Sequence, residues 1–220
     1  VRFPPFSERR EMASGPLLFD RRLLRARRLR AQALGPSTFL IDRVADELGD
    51  RIAAVLRSFE RAVDLGTPTD AVRRALAASG KVGGIIAADA LAGQAPFSLS
   101  GSPVAADEEA LPFRDGSLDL VVSALALGFV NDLPGTLIQI RRALRPDGLL
   151  LAALPGGDTL TELRQAFAAA EAEIEDGISP RVAPFADVRE LGALLQRADF
   201  ALPVADVERL TVRYASPVAL

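Results

Sequence analysis

The chain has 220 residues, 49% of them hydrophobic, and a formal net charge of −3, so one domain with a full core is the expectation. It contains no cysteine, which removes disulfides, thiolate nucleophiles, Cys-ligated zinc and cysteine-held iron–sulfur clusters from its chemistry. It contains no histidine either, which removes Ser-His-Asp catalysis and an iron site built on two histidines and a carboxylate.

Lys81 is the sole lysine, so nearly all the positive charge is arginine, a ratio that with abundant alanine fits a GC-rich genome better than arginine-based recognition. Arg2, Glu8 and Glu11 stand where an apolar signal core would be, and no apolar run reaches the roughly 18 residues of a membrane span. The expectation is a soluble cytoplasmic protein. Met12-Ala13-Ser14 reads as a natural start with Val1 to Glu11 upstream, which makes residues 1–17 a flexible or upstream segment.

From Phe19 to Ala33 the chain reads as a helix in which Arg21, Arg22, Arg25, Arg27, Arg28 and Arg30 interleave with Leu23, Leu24 and Leu29. Two readings are open: a nucleic-acid or phosphate patch, and a solvated helix face, the latter favoured because no basic excess elsewhere extends the patch. Ser37 or Thr38 caps a second helix to about Leu56, with Phe39, Leu40, Val44, Leu48, Ile52 and Val55 on the buried side and Gly49 as a bend or break.

Ala62 to Leu65 is a short strand, Gly66 to Thr69 a turn, Asp70 to Ala78 a helix ended by Gly80, and Val82 to Ala88 a second strand closing on Asp89. Asp64 and Asp89 therefore end consecutive strands one βαβ unit apart. A nucleoside is held this way, with backbone donors in the first turn and an acid after the second strand for ribose hydroxyls; a structural turn with a chance acid is the equal alternative. Leu91 to Pro103 is a loop, and Val104 to Ala106 a brief third strand. Asp107-Glu108-Glu109 after it serves either an adenine amino group or a solvated acidic turn.

Leu111 to Leu154 organises the rest. Leu118 to Leu125 is a buried strand, Asn131 and Asp132 cap a helix with Pro134 in its first turn, and Leu133, Leu137, Ile140 and Leu144 recur at helical spacing. Pro146-Asp147-Gly148 stops that helix and Leu149 to Leu154 is another strand, so the unit is βαβ with a right-handed crossover in a largely parallel sheet. Gly156 to Thr159 leads an amphipathic helix to about Glu175 on Leu160, Leu163, Phe167, Ala170 and Ile174, ended by Asp176-Gly177. Asp187 to Arg197 is a further helix, and Leu202 to Tyr214 is strand-rich.

The stretches ADEEALPFRDGSLDLVVSALALGFVNDLPGTLIQIRRALRPDGLLLAALPGGDTLTELR and SPRVAPFADVRELGALLQRADFALPVADVERLTVRY, with LLFDRRLLRARRLRA before them, resemble the class I S-adenosylmethionine-dependent methyltransferases. The similar branch contains the arginine-modifying complex I assembly factors and, more distantly, the malonyl-carrier-protein methyltransferases of biotin synthesis. The resemblance implies a doubly wound, mainly parallel Rossmann-like sheet over 18–220, with N-terminal helices over 18–58 and a core over 59–220. It also implies a helix and a final antiparallel strand beyond Leu220. The methyl donor S-adenosylmethionine would lie across the strand ends. Asp64, Gly66 and Thr67 would form the first-strand motif, Asp89 would take the ribose, Asp107 and Glu108 would face the adenine, and Ser123 to Leu125 would line the pocket near the methyl. No catalytic residue and no metal ligand are assigned.

Two local departures stand out. The family's Gly-x-Gly-x-Gly is here Gly66-Thr67-Pro68-Thr69-Asp70, so a ring without an N–H replaces the second glycine. Gly128-Phe129 stands where the family often has His-Trp. The implied activity is methyl transfer by in-line displacement to an unknown small-molecule or protein acceptor, with no nucleic acid or membrane span involved. The alternatives are an assembly or interaction factor of complex I type that has lost donor binding, and an arginine hydroxylase.

Overall fold

The computed structural model describes residues 17–92, 102–174, 177 and 179–216. The start expected at Met12, the middle of the loop after Leu91, Asp176 and the region around Leu220 lie outside the described residues. Two helices come first, α1 Arg21–Leu34 and α2 Phe39–Ala54. Then follow β1 Phe59–Leu65, α3 Ala71–Ala78, β2 Val82–Asp89, β3 Ser102–Ala105, β4 Leu118–Ala124, α4 Leu133–Ala143, β5 Leu144–Ala153, α5 Thr161–Ile174 and α6 Val188–Arg197.

The strands form one parallel sheet in the order β3-β2-β1-β4-β5. Side chains alternate across a strand, so each central strand feeds two cores. Ala62, Leu120 and Val122 pack with Ile41, Leu48 and Ile52 of α2 and Val72 and Leu76 of α3. Val63, Leu65 and Val121 face the other way, against Ile140 and Ala143 of α4. Burial on both faces explains why these strands read as continuous apolar runs and why the sheet is doubly wound, as expected. Chain direction away from β1 reverses between β2 and β4, which opens a crevice at the carboxyl ends of the strands.

Several expectations are corrected. Gly49 neither bends nor splits α2; an added Cβ there would lie 3.1 Å from the Ala75 Cβ, so the glycine lets α2 approach α3. Phe39 and Leu40 are exposed, because the buried side of α2 is Ile41, Ala45, Leu48 and Ile52. Pro146-Asp147-Gly148 does not stop α4, which ends at Ala143; these residues form an irregularity within β5, where pairing with β4 jumps from Leu118↔Leu144 to Leu120↔Leu149. Phe167 and Ile174 of α5 are exposed, and the buried residue of that helix is Glu171, which accepts from the Ser179 N–H and pairs with Arg181.

Leu202 to Tyr214 forms no strand. Leu202 and Val204 are 93% and 85% exposed, and the segment is tied down by side chains, Arg51 to Asp206 at 2.8 Å and Arg43 to Glu208 at 3.2 Å. A strand needs a hydrogen-bonded neighbour, and among the described residues none lies beside this segment.

Candidate functional site

The crevice begins at the bend after β1. Gly66 has a φ of 73°, in the left-handed region that glycine tolerates, and its N–H donates to the Ala88 carbonyl at 2.7 Å. An added Cβ would stand 2.6 Å from Glu108 Oε1 and 2.8 Å from the Ala126 Cβ. Glycine is therefore required twice, by conformation and by the acid folded against it. The Thr67 hydroxyl accepts from the Ala124 N–H at 3.3 Å, tying the bend to β4.

Asp64, 1% exposed, pairs with Arg73 of α3, itself 3% exposed. Burial pushes the Asp64 carboxyl up to about 7, against the opposing pull of the Arg73 guanidinium and the Thr67 hydroxyl. The other acids end successive strands. Asp89 closes β2 and accepts from the Leu91 N–H at 2.6 Å. Asp107 follows β3 and accepts from the Glu109 N–H at 3.0 Å; Glu108 beside it is 3% exposed.

Sequence reasoning missed what these acids pair with. Helix α1 crosses the strand ends: Arg28 pairs with Asp89, Arg25 with Asp107, and Arg21 with both Asp107, at 2.8 Å, and Glu108. Burial alone would lower the Arg21 pKa, but Glu108 and then Asp107 outweigh it and raise the value above the ordinary one. Neither a solvated face nor a nucleic-acid patch describes these three arginines; the first reading is corrected by their pairing and half-burial. The signal was present in the spacing, since positions 21, 25 and 28 share one helical face. Asn131 and Asp132 were both expected to cap α4. Asp132 does so, accepting from the Gly135 N–H at 2.8 Å, but Asn131 instead clasps the Phe19 backbone on both its N–H, at 2.8 Å, and its carbonyl, at 3.1 Å. Phe19 also meets Phe129 edge to face at 5.7 Å, so Gly128-Phe129 anchors the start of α1.

Asp64, Thr67 and Asp89 line one cavity together with Pro68, Arg28 and Arg73. Its volume is about 30 Å³, against roughly 300–1,000 Å³ for a small-molecule pocket. Four buried polar atoms on its wall lack a protein partner: Arg28 Nε, Gln32 Oε1, Asp64 Oδ1 and Arg73 Nε. Gly66 and Glu108 touch each other beside it. Ser123 and Leu125 are not among its lining residues. The Ser123 hydroxyl is spent on the Leu65 carbonyl at 2.8 Å, and Leu125, with a φ of 62°, turns the chain out of β4 in a conformation costly for its side chain. Among the described residues no group of three acidic side chains is placed to hold a metal.

A parallel doubly wound sheet with acids at the ends of β2 and β3 and a glycine bend after β1 defines a Rossmann-like fold of the class I methyltransferase type. A family model described as a methyltransferase domain matches residues 63–152. The chain is 39% identical over 225 residues to the mouse protein named arginine-hydroxylase NDUFAF5, mitochondrial, covering 94% of this chain and 65% of that protein. It is 35% identical to a malonyl-acyl-carrier-protein O-methyltransferase of Gallionella capsiferriformans, covering 84% of this chain and 66% of that one. Among solved structures, a chain of the complex between the Haloferax volcanii Trm112 methyltransferase activator and a methyltransferase superposes with a TM-score of 0.59 at 21% identity, covering 78% of this chain and 75% of that one. An S-adenosylmethionine-dependent methyltransferase of Mesorhizobium loti superposes at 0.51 and 18% identity, covering 70% and 80%. The chain belongs to the class I S-adenosylmethionine-dependent methyltransferase family. It spans 59–65% of the length of the human and mouse NDUFAF5 proteins it matches.

Proposed function

We propose that this chain binds S-adenosylmethionine at the carboxyl ends of β1 to β3 and transfers its methyl group to a small-molecule or protein acceptor. The observation that carries the reading is the row of strand-end acids, Asp89, Asp107 and Glu108, beside the obligatory glycine at position 66. Asp89 would take the ribose hydroxyls, and Asp107 or Glu108 the adenine amine. When bound, the donor supplies a methyl on a sulfonium, whose sulfide is a good leaving group, so the protein's work is orientation and exclusion of water. A site without histidine or cysteine suffices for that. The donor set fits the nucleoside in chemistry; the space does not while α1 lies as it does.

The names of the relatives divide over the reaction, between hydroxylation of an arginine and O-methylation of a malonyl group on an acyl-carrier protein. Hydroxylation of arginine is the activity in the name of the NDUFAF5 relatives, of whose length this chain spans 59–65% in human and mouse. The second reading, an interaction factor that no longer binds donor, is favoured by one observation: Pro68 lines the cavity where an N–H and free space are needed. Calorimetric titration with S-adenosylmethionine and S-adenosylhomocysteine separates the two. Saturable heat supports the enzyme. Absence of heat at millimolar ligand in the folded wild type supports the interaction factor, and heat regained in Pro68→Gly identifies the proline ring as the cause.

A further inference from the structure

The acids that would hold the donor are already satisfied, by cations from the chain itself. Arg28 sits on Asp89, Arg25 on Asp107, and Arg21 on Asp107 and Glu108. The Arg28 guanidinium also points at the Gly66 carbonyl, at 3.4 Å, so one side chain spans the ribose acid and the glycine bend. These are not loose surface pairs: the side chains of Arg21 and Arg28 are 15% and 18% exposed, and that of Glu108 only 4%. The cavity beside the Arg28–Asp89 pair, about 30 Å³, holds a water or two.

The helix is nevertheless built to leave. No residue of α1 is fully buried, so it contributes little to either core and its attachment is mostly charge. Asp20 caps it independently of the sheet, accepting from the Arg22 and Leu23 N–H groups, so the helix keeps its first turn when detached. At the other end Gly35, with a φ of 85° and open space around it, joins α1 to α2. At its start α1 is also held by the Asn131 clasp on the Phe19 backbone, by the Phe19–Phe129 contact and by a hydrogen bond from the Arg21 guanidinium to the Phe129 carbonyl at 3.1 Å.

We propose that α1 is an internal competitor for the donor: Arg21, Arg25 and Arg28 occupy the carboxylates that the donor's ribose and adenine require, and the donor enters as the helix is released. The inference rests on the donor-binding reading above. Its thermodynamic consequence is a tax on affinity, because the apparent dissociation constant rises as the competent, released fraction falls. It also gives a partner that captures α1 a way to switch binding on without touching the site.

Two measurements with S-adenosylhomocysteine as probe test this. In the Arg21→Gln/Arg25→Gln/Arg28→Gln variant, shown folded by its circular dichroism, affinity by calorimetry should rise about tenfold or more over wild type. In the wild-type chain, amide hydrogen exchange over 21–34 should accelerate when the probe is bound. Unchanged or weaker affinity in the folded variant overturns the proposal, because the arginines are then neutral or helpful to the ligand. Slower exchange on binding overturns it as well, because α1 is then a cover that closes on the ligand; this readout decides the matter if the variant does not fold. Binding that is equal in both chains defeats the competition and leaves the donor site standing. No binding in either, at millimolar probe, defeats the donor site and the competition with it.

Discussion

At the scale of single residues, Gly66 and Asp64 show how tightly the bend after β1 is specified. Gly66→Ala asks for a Cβ at a φ of 73° and 2.6 Å from Glu108 Oε1. It should lower the unfolding free energy by about 1–3 kcal/mol, read from the urea midpoint. Asp64 gives a pH signature. Its ordinary value is 3.8 and burial raises it to about 7 in the fold. Between those two values the folded chain keeps a proton that the unfolded chain has released, so stability falls as pH rises through that window and levels off above it. Urea midpoints at pH 5 and pH 8 should show the fall, and Asp64→Asn should flatten it. Arg73→Met strands the buried carboxylate and should cost about 3–5 kcal/mol. Asp89 was legible in the sequence because a strand-end acid one βαβ unit after a glycine bend is a local pattern. The Arg28 that holds it lies 61 positions away, and no local pattern joins the two.

Elements were read well where burial has a period, and less well where the periodic face finds no partner. The runs that became β1, β2 and β4 lie between two cores, so their apolar character was unambiguous. Helix α5 carries a helical apolar pattern, yet Phe167 and Ile174 face solvent, because no described element packs over them. Gly49 was misread for a related reason: a glycine inside a helix signals either a bend or a close neighbour, and only the position of Ala75 tells which. Gly49→Leu should push α2 off α3 and cost about 1–3 kcal/mol in thermal or urea unfolding. The segment from Leu202 to Tyr214 alternates like a strand without a sheet edge to join. Its Arg209 and Arg213 should be cut by trypsin before any site in α2 or α3, with the early fragments identified by mass spectrometry.

The whole molecule is a sheet whose topology makes a crevice, acids that line the crevice, and a basic helix that lies across it. Topology follows from the βαβ periodicity and was legible in the chain; the placement of α1 was not, because it depends on long-range charge pairing between segments that periodicity treats separately. Pro68 and the three arginines are distinct obstacles to a donor, one a ring in the bend and the other a set of cations on the acids. Pro68→Gly should therefore tighten donor binding by roughly tenfold, as one backbone donor and some space are regained.

The most direct test of the central claim is a crystal structure of the chain grown with S-adenosylhomocysteine. The prediction is a nucleoside with its ribose hydroxyls on Asp89 and the Arg28 guanidinium displaced from it. A well-ordered structure at saturating ligand, with Arg28 still paired to Asp89 and no nucleoside at the strand ends, would contradict it.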